Sequence, residues 1–322
     1  MSDLLKITPI AESYMSLTWQ VNNFCNFQCT YCNPGSWAGD SRNNGNRDVY
    51  LKNVRNIFQQ YQDRGYEHFK IFYSGGEPTH WENFIPLTEY LKDELGNNLT
   101  VAVNTNLSRP LKYWEQHHHL FDDIVASFHV EFSKKDRYIE NAKFLCDKVD
   151  YLCTKMLMHE ERFWEVVEFG KRVRNEVPNY NLEWTPLFDE MSVNAGPWKY
   201  NDLEKTRFLE EAQFETVMRL PKPYRENSAI SISHYSDGNI EPVNSNKIIA
   251  ARQNFFKGWK CHVDDSLFIN PVGQISSASC GVGKQHGNIL DENLTFDLKP
   301  VICSKTHCHC GTDIIIPKFM EH

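Results

Sequence analysis

Three cysteines stand close together near the start of the chain, as Cys25-Asn-Phe-Gln-Cys29-Thr-Tyr-Cys32. Three thiolates on one short loop can hold three irons of a four-iron, four-sulfur cube, and the fourth iron then has no protein ligand. An iron with an open position binds a small molecule directly, so such a cluster can do chemistry as well as carry electrons. Structural zinc is the competing use of clustered thiols. It wants four closed ligands, and the loop contains no histidine.

A second group of cysteines lies toward the other end, at Cys261, Cys280, Cys303, Cys308 and Cys310. This too is metal-site spacing, with a zinc knuckle using His307 or His309 as the alternative to an iron–sulfur centre. Cys146 and Cys153 sit among apolar neighbours and read as small buried hydrophobes. Residues 1–15 carry acids and polar groups where a secretory signal needs an apolar stretch, so a disulfide framework is not expected and the protein is read as cytoplasmic. The net charge of -8 speaks against a dedicated nucleic-acid binder, and no apolar run is long enough to span a membrane.

The elements that must position these thiols follow a rhythm. Strand-like Ser16–Val21 runs straight into the first cysteine loop. Tyr50, Leu51, Val54, Ile57, Phe58 and Tyr61 mark one face of a helix. Strand patterns recur at 68–74, 99–104, 123–130, 151–157 and 182–186. Helical patterns lie between them: one through Trp81, Phe84, Leu87, Leu91 and Leu95 is stopped by Gly96, and another runs through Phe163, Val166, Val167 and Val173. Ser133-Lys-Lys-Asp136 predicts a capping box before the helix that follows the fourth strand. Six such units imply a parallel sheet with right-handed crossovers, too few for a closed eight-stranded barrel. The expected fold is therefore α/β, a partial (βα)6 barrel over residues 1–226 including a bridge from 187, with a small cysteine-rich extension over 227–322. Within that bridge Gly196-Pro197 and Pro221-Lys-Pro223 break the rhythm, and 201–219 reads as a polar helix. In the extension, 229–234 reads as a strand, Asp237-Gly238 as a turn, and 267–276 as a hairpin turning at Val272-Gly273.

The cysteine loop after a first strand, followed by Ser74-Gly75-Gly76-Glu77-Pro78 after the second, resembles the radical S-adenosylmethionine (radical SAM) superfamily and its GGEP motif. The resemblance covers roughly the first 200 residues. It implies that Cys25, Cys29 and Cys32 hold a 4Fe-4S cluster whose open iron is chelated by SAM. Reductive cleavage of SAM then yields a 5′-deoxyadenosyl radical that abstracts a hydrogen atom from the substrate. It also implies SAM contacts from Gly75, Gly76, Glu77 and Pro78, and places Tyr31 near the adenine. Asn104, Asn106, Ser127 and His129 lie at later strand ends and are further SAM candidates; Glu131, Glu183 and Trp184 are candidate catalytic or substrate-facing residues.

The stretch from Cys261 through Cys280 resembles the start of a SPASM or twitch extension, which holds an auxiliary 4Fe-4S cluster, although the tight Cys308-His309-Cys310 departs from that pattern. Five thiols exceed the four that one closed cluster needs, so either one is a spare and a candidate hydrogen donor, or one lies near the cluster by chance. By the same resemblance, the substrate is a ribosomally made peptide to be cross-linked, epimerised or oxidised, or alternatively a small sugar-type metabolite. A flavodoxin or ferredoxin is the implied one-electron reductant. A non-catalytic iron–sulfur carrier or redox sensor is the alternative from another class, and the GGEP sequence speaks against it. The first strand begins about 15 residues in, so a peptide would dock without a preceding recognition domain.

Overall fold

In the computed structural model, residues 2–9, 14–32, 35, 38–39, 46–179, 181–187, 200, 202–212, 214–216, 231–308 and 310–321 are described. Gly196-Pro197, Pro221–Pro223, residues 229–230 and His309 lie outside them.

Alternation of apolar and polar residues produces the strands. In β2 (Tyr14–Gln20) Met15, Leu17 and Trp19 are buried, and in β3 (His68–Ser74) Phe69, Ile71 and Tyr73 are. Successive side chains point to opposite faces, so these residues cover one side of the sheet while Ser16, Thr18, Lys70 and Phe72 take the other. The apolar side receives the helices. The face of α1 (Arg47–Gln62) formed by Tyr50, Val54, Ile57, Phe58 and Tyr61 packs there, with Trp19, Tyr50 and Trp81 meeting at ring centroid distances of 5.4–5.7 Å. Tilted and edge contacts of this kind add about 0.5–1.5 kcal/mol per pair beyond burial.

The pattern repeats through α2 (Phe84–Leu95), β4 (Leu99–Thr105), α3 (Leu111–His117), β5 (Asp123–Phe128), α4 (Lys135–Leu145), β6 (Tyr151–Met158), α5 (Phe163–Glu176) and β7 (Asn181–Pro186). Strands β2 to β7 pair in sequence order and all in parallel, which is the expected (βα)6 unit. Gly96 caps α2 at φ 53°, as its position promised. The capping box does not form. Lys134 is the N-cap of α4 without a side-chain bond, and the Ser133 hydroxyl instead accepts from the backbone N–H of His129.

The polar stretch after β7 is shorter than read from sequence. Helix α6 (Leu203–Ala212) gives way to β8 (Phe214–Thr216), which pairs antiparallel with β7 at the sheet edge.

The extension is more entwined with the barrel than a boundary at 226 suggests. Strands β9 (Ser231–Tyr235), β10 (Ile240–Pro242), β11 (Lys260–Cys261), β15 (Val301–Ile302) and β16 (Lys318–Phe319) form a six-stranded sheet with β1 (Leu4–Pro9), which lies between β9 and β16. Residues 2–9 thus belong structurally with the extension. Conversely β12 (Ser266–Ile269) pairs in parallel with β2, and β13 (Gln274–Ser276) and β14 (Gln285–Asn288) continue the barrel sheet to ten strands. The predicted hairpin is the β12–β13 turn, with Gly273 at φ +85°. The polar face of α1 is a strap for the extension. Asn53 donates to the carbonyls of Ile289 and Asp291, and Asn56 and Gln60 donate to that of Leu294. A second core then forms around Ile7, Phe256, Cys261, Val263 and Ile314, bordered by α7 (Ser245–Ala250) and α8 (Gly311–Ile314).

Candidate cluster and SAM site

The carboxyl ends of β2, β3, β4 and β5 converge on the cysteine loop. Asn22, just past β2, stitches the first two. Its carbonyl and side-chain oxygen both accept from the Gly76 N–H, at 3.0 and 3.1 Å, while its amide donates to the Glu77 carbonyl at 3.0 Å. The Glu77 N–H in turn reaches the carbonyl of Phe24, next to Cys25, at 2.8 Å. Gly75 sits at φ +138°, and a Cβ there would stand 2.6 Å from the Asn22 carbonyl oxygen. Only glycine allows both the conformation and the approach.

Glu77 is a strut, with its side chain turned inward. It is 1% exposed, and its carboxylate accepts from Thr79 N–H (3.2 Å), Thr79 Oγ1 (2.7 Å), Thr105 Oγ1 (2.8 Å) and Asn106 N–H (2.7 Å). Burial raises its pKa despite these donors. Pro78 opens the short turn Pro78–His80 that Glu77 caps. Through Glu77 the end of β4 is fixed against the end of β3, and Asn106 is delivered to the cysteine loop. The Asn106 amide lies 2.9 Å from Asn26 Oδ1 and 3.7 Å from Cys25 Sγ.

On the other side β5 ends at Phe128, two residues earlier than the sequence pattern suggested, and His129 turns toward the loop. Its Nδ1 lies 2.8 Å from the Tyr31 hydroxyl and 3.3 Å from Cys29 Sγ, and the two rings stack with planes 3° apart. Burial lowers the His129 pKa to about 4, so the imidazole is neutral at pH 7. Burial likewise raises Tyr31. Glu131 is committed to the loop, not to the sheet's inner face: its two oxygens accept from Thr30 N–H (2.9 Å) and Thr30 Oγ1 (2.8 Å). These bonds tie it to the cysteine loop beside Cys29. His159, just past β6, approaches Glu131 at 3.8 Å and meets Tyr31 edge-on; sequence reasoning passed over it.

The thiols themselves fit a metal centre. Burial raises Cys25 to about 11 and Cys29 to about 12, and a bound cation offsets that penalty. The Phe27 N–H points at Cys25 Sγ from 3.3 Å, as suits a thiolate.

Deeper in the sheet a polar row crosses the inner face. Ser127 donates to Asn104 Oδ1 at 3.0 Å; Ser127 is in register with Lys155, and Lys155 with Glu183. The Lys155 ammonium stands 3.4 Å from Glu183 Oε1. Burial pulls the Lys155 pKa down, but the facing carboxylate outweighs it and the net shift is upward. Lys155 was missed because a single charge in an apolar strand reads as an edge. Cys153 joins this group, with its Sγ 3.9 Å from Glu183 Oε2, and is not the plain core residue expected. Trp184 takes the opposite face. It is 2% exposed, meets Phe208 at 5.1 Å, and fills a notch where a Cβ on Gly170 would come within 2.3 Å of its ring. Its role is packing, and the expectation that it faces SAM or substrate does not stand.

In the extension Cys261, Cys303 and Cys308 are buried, with Cys280 packed against the same core. Asn254 pins Cys308 by a reciprocal pair of bonds at 2.9 and 3.0 Å. Asp313 accepts from the backbone N–H groups of Ser279 and Cys280. The Cys310 thiol lies 2.9 Å from Thr312 Oγ1. The one trio of metal-ligating groups within 4.8 Å of one another, among the described residues, is His262, Asp264 and Asp265, where the Tyr66 hydroxyl also donates to Asp265 at 2.5 Å. Among those residues no helix is long and apolar enough to cross a membrane.

Comparison with known proteins agrees with this geometry. Residues 19–174 match the Radical SAM superfamily. GTP 3′,8-cyclase of Haemophilus influenzae (strain PittGG) is 30% identical over 113 residues, 34% of this chain and 32% of its own length. The corresponding protein of Edwardsiella ictaluri is 31% identical over 107 residues, 32% of this chain and 31% of its own length. The chain thus spans about a third of the length of these curated relatives. The crystal structure of native anSMEcpe with bound AdoMet superimposes with a TM-score of 0.51 at 17% identity, covering 86% of this chain and 78% of that one. Streptococcus suis SuiB bound to the precursor peptide SuiA gives 0.46 at 16% identity, covering 87% of this chain and 63% of that one. Likeness at such identities speaks to fold. Loop, glycine motif, strand order and family match coincide, and residues 19–174 of this chain form a domain of the Radical SAM superfamily.

Proposed function

We propose that this protein is a radical SAM enzyme that abstracts a hydrogen atom from a substrate held over the inner face of the sheet. The observation that carries the reading is the three-thiol loop at the end of β2, bound on one side to the Gly75–Glu77 turn and on the other to His129 and Glu131. Cys25, Cys29 and Cys32 would hold a 4Fe-4S cluster; cluster and SAM, when bound, supply one-electron reductive cleavage and hydrogen abstraction.

The rest of the work falls to this chain's own groups. The Gly75 and Gly76 carbonyls offer acceptors for the SAM ammonium. Tyr31 and neutral His129 wall the cysteine loop. Asn106 and the Phe27 N–H orient toward Cys25. Asn104 and Ser127 offer polar contacts one layer deeper, and Lys155 with Glu183 would orient the substrate. Cysteines from the set 261, 280, 303, 308 and 310 would hold an auxiliary 4Fe-4S cluster.

A ribosomally made peptide is the leading substrate class, on the resemblance of the extension. A small sugar-type or other polar metabolite is the second, and the Lys155–Glu183 pair favours it because paired charges suit a compact polar ligand. An acidic one-electron carrier of flavodoxin or ferredoxin type would deliver the electron. Anaerobic reconstitution with iron and sulfide, reduction and addition of SAM should yield 5′-deoxyadenosine, and Cys29→Ala should abolish it. A reconstituted protein that holds iron but never releases 5′-deoxyadenosine would leave an electron carrier or redox sensor as the better reading.

A further inference from the structure

Lys318 is the most deeply buried lysine among the described residues, at 2% exposure. It lies on β16, in register with Ile7 of β1 on one side and Cys261 of β11 on the other. Its ammonium donates to the carbonyls of Asp313 (2.7 Å) and Ile314 (2.9 Å) and stands 4.8 Å from the centre of the Phe256 ring. Among the described residues no carboxylate comes within ion-pair distance of it. Asp313, whose carbonyl it bonds, turns its carboxylate toward the Ser279 hydroxyl and the N–H groups of Ser279 and Cys280. Carbonyl dipoles and a π face are weak compensation for a full charge removed from water, and a buried cation is retained where an anion meets it. The group beside Lys318 in register is the Cys261 thiol, which is anionic when it ligates a cluster.

We infer that Lys318 is the built-in counter-cation of the auxiliary cluster, placed beside Cys261 so that the excess negative charge of iron, sulfide and thiolate is partly neutralised inside the extension. This rests on the auxiliary-cluster reading above. A nearby positive charge favours the more reduced, more negative form of a cluster, so Lys318 raises its reduction potential. The residue is a positioning and tuning group that touches no substrate.

The test uses the full-length protein in a Cys25→Ala/Cys29→Ala/Cys32→Ala background, so that any iron–sulfur signal belongs to the extension. Lys318→Gln keeps donors for both carbonyls and drops the charge; Lys318→Arg keeps the charge. Potentiometric titration followed by electron paramagnetic resonance should show a more negative midpoint for Lys318→Gln and a return toward the parent value for Lys318→Arg. Equal midpoints in parent and Lys318→Gln overturn the inference. Should Lys318→Gln lose its iron, recovery of iron in Lys318→Arg supports the charge requirement, and loss in both variants overturns it in favour of shape. A parent that assembles no cluster in this background sinks the auxiliary-cluster reading itself, a result distinct from any of these.

Discussion

Replacing Glu77 with alanine tests the strut at the heart of the site. Its four donors differ in what they can do once the carboxylate is gone. The Thr79 and Thr105 hydroxyls can turn to other acceptors, but the backbone N–H groups of Thr79 and Asn106 cannot. A stranded buried donor costs about 1–3 kcal/mol, so the two together cost about 2–6. Relief of the buried carboxylate, whose raised pKa shows that burial outweighs its bonds, offsets part of this. The net expectation is a loss of about 2–4 kcal/mol, large beside a total stability of about 5–15. Urea unfolding at pH 7, with a slope of about 1–3 kcal/mol/M, should place the midpoint roughly 1 M lower. Iron retention should fall too, because the Asn106 amide nitrogen reaches Cys25 only while its backbone is held by Glu77. Glu77→Gln keeps the shape and should lose less, about 1–3 kcal/mol. The pH dependence carries a sign. A carboxyl whose folded pKa lies above its unfolded value, about 4.3, gives stability that is present below that value and lost as pH rises through the folded pKa. The advantage of wild type over Glu77→Gln should therefore shrink as pH climbs from about 4 through the raised native value. An alanine variant with an unchanged midpoint and unchanged iron content would refute the strut.

Other consequences can be checked with the same material. Gly75→Ala must place a Cβ 2.6 Å from the Asn22 carbonyl at φ +138°, a strain of about 1–3 kcal/mol, and SAM binding by equilibrium dialysis should weaken at least tenfold. Lys155→Met should leave substrate-free SAM cleavage near wild type but cut substrate-dependent turnover by tenfold or more; equal loss of both would remove Lys155 from substrate handling. Simultaneous Cys261→Ala and Cys308→Ala should lower reconstituted iron from about eight to about four per chain, two cubes against one, with SAM cleavage retained.

Residue type and spacing determined much by themselves. The three cysteines, the Gly75–Pro78 turn and the six strand–helix units are local patterns, and a parallel sheet needs only such units in order. Strand period says that neighbours such as Glu183 and Trp184 face opposite ways, but not which of them faces in. The helices decided that, because α5 and α6 cover the side on which Trp184 falls. Glu131 is close to His129 in sequence, yet its carboxylate was claimed by Thr30, about a hundred residues earlier in the chain. Likewise β1 carries no signal of its partners. Its pairing with β9 and β16 closes across more than 200 residues, and only assembly of the second core brings Lys318 beside Cys261. Chemistry that resides on one loop is written in one stretch of chain, whereas a buried charge and its counter-charge meet only when distant strands pair.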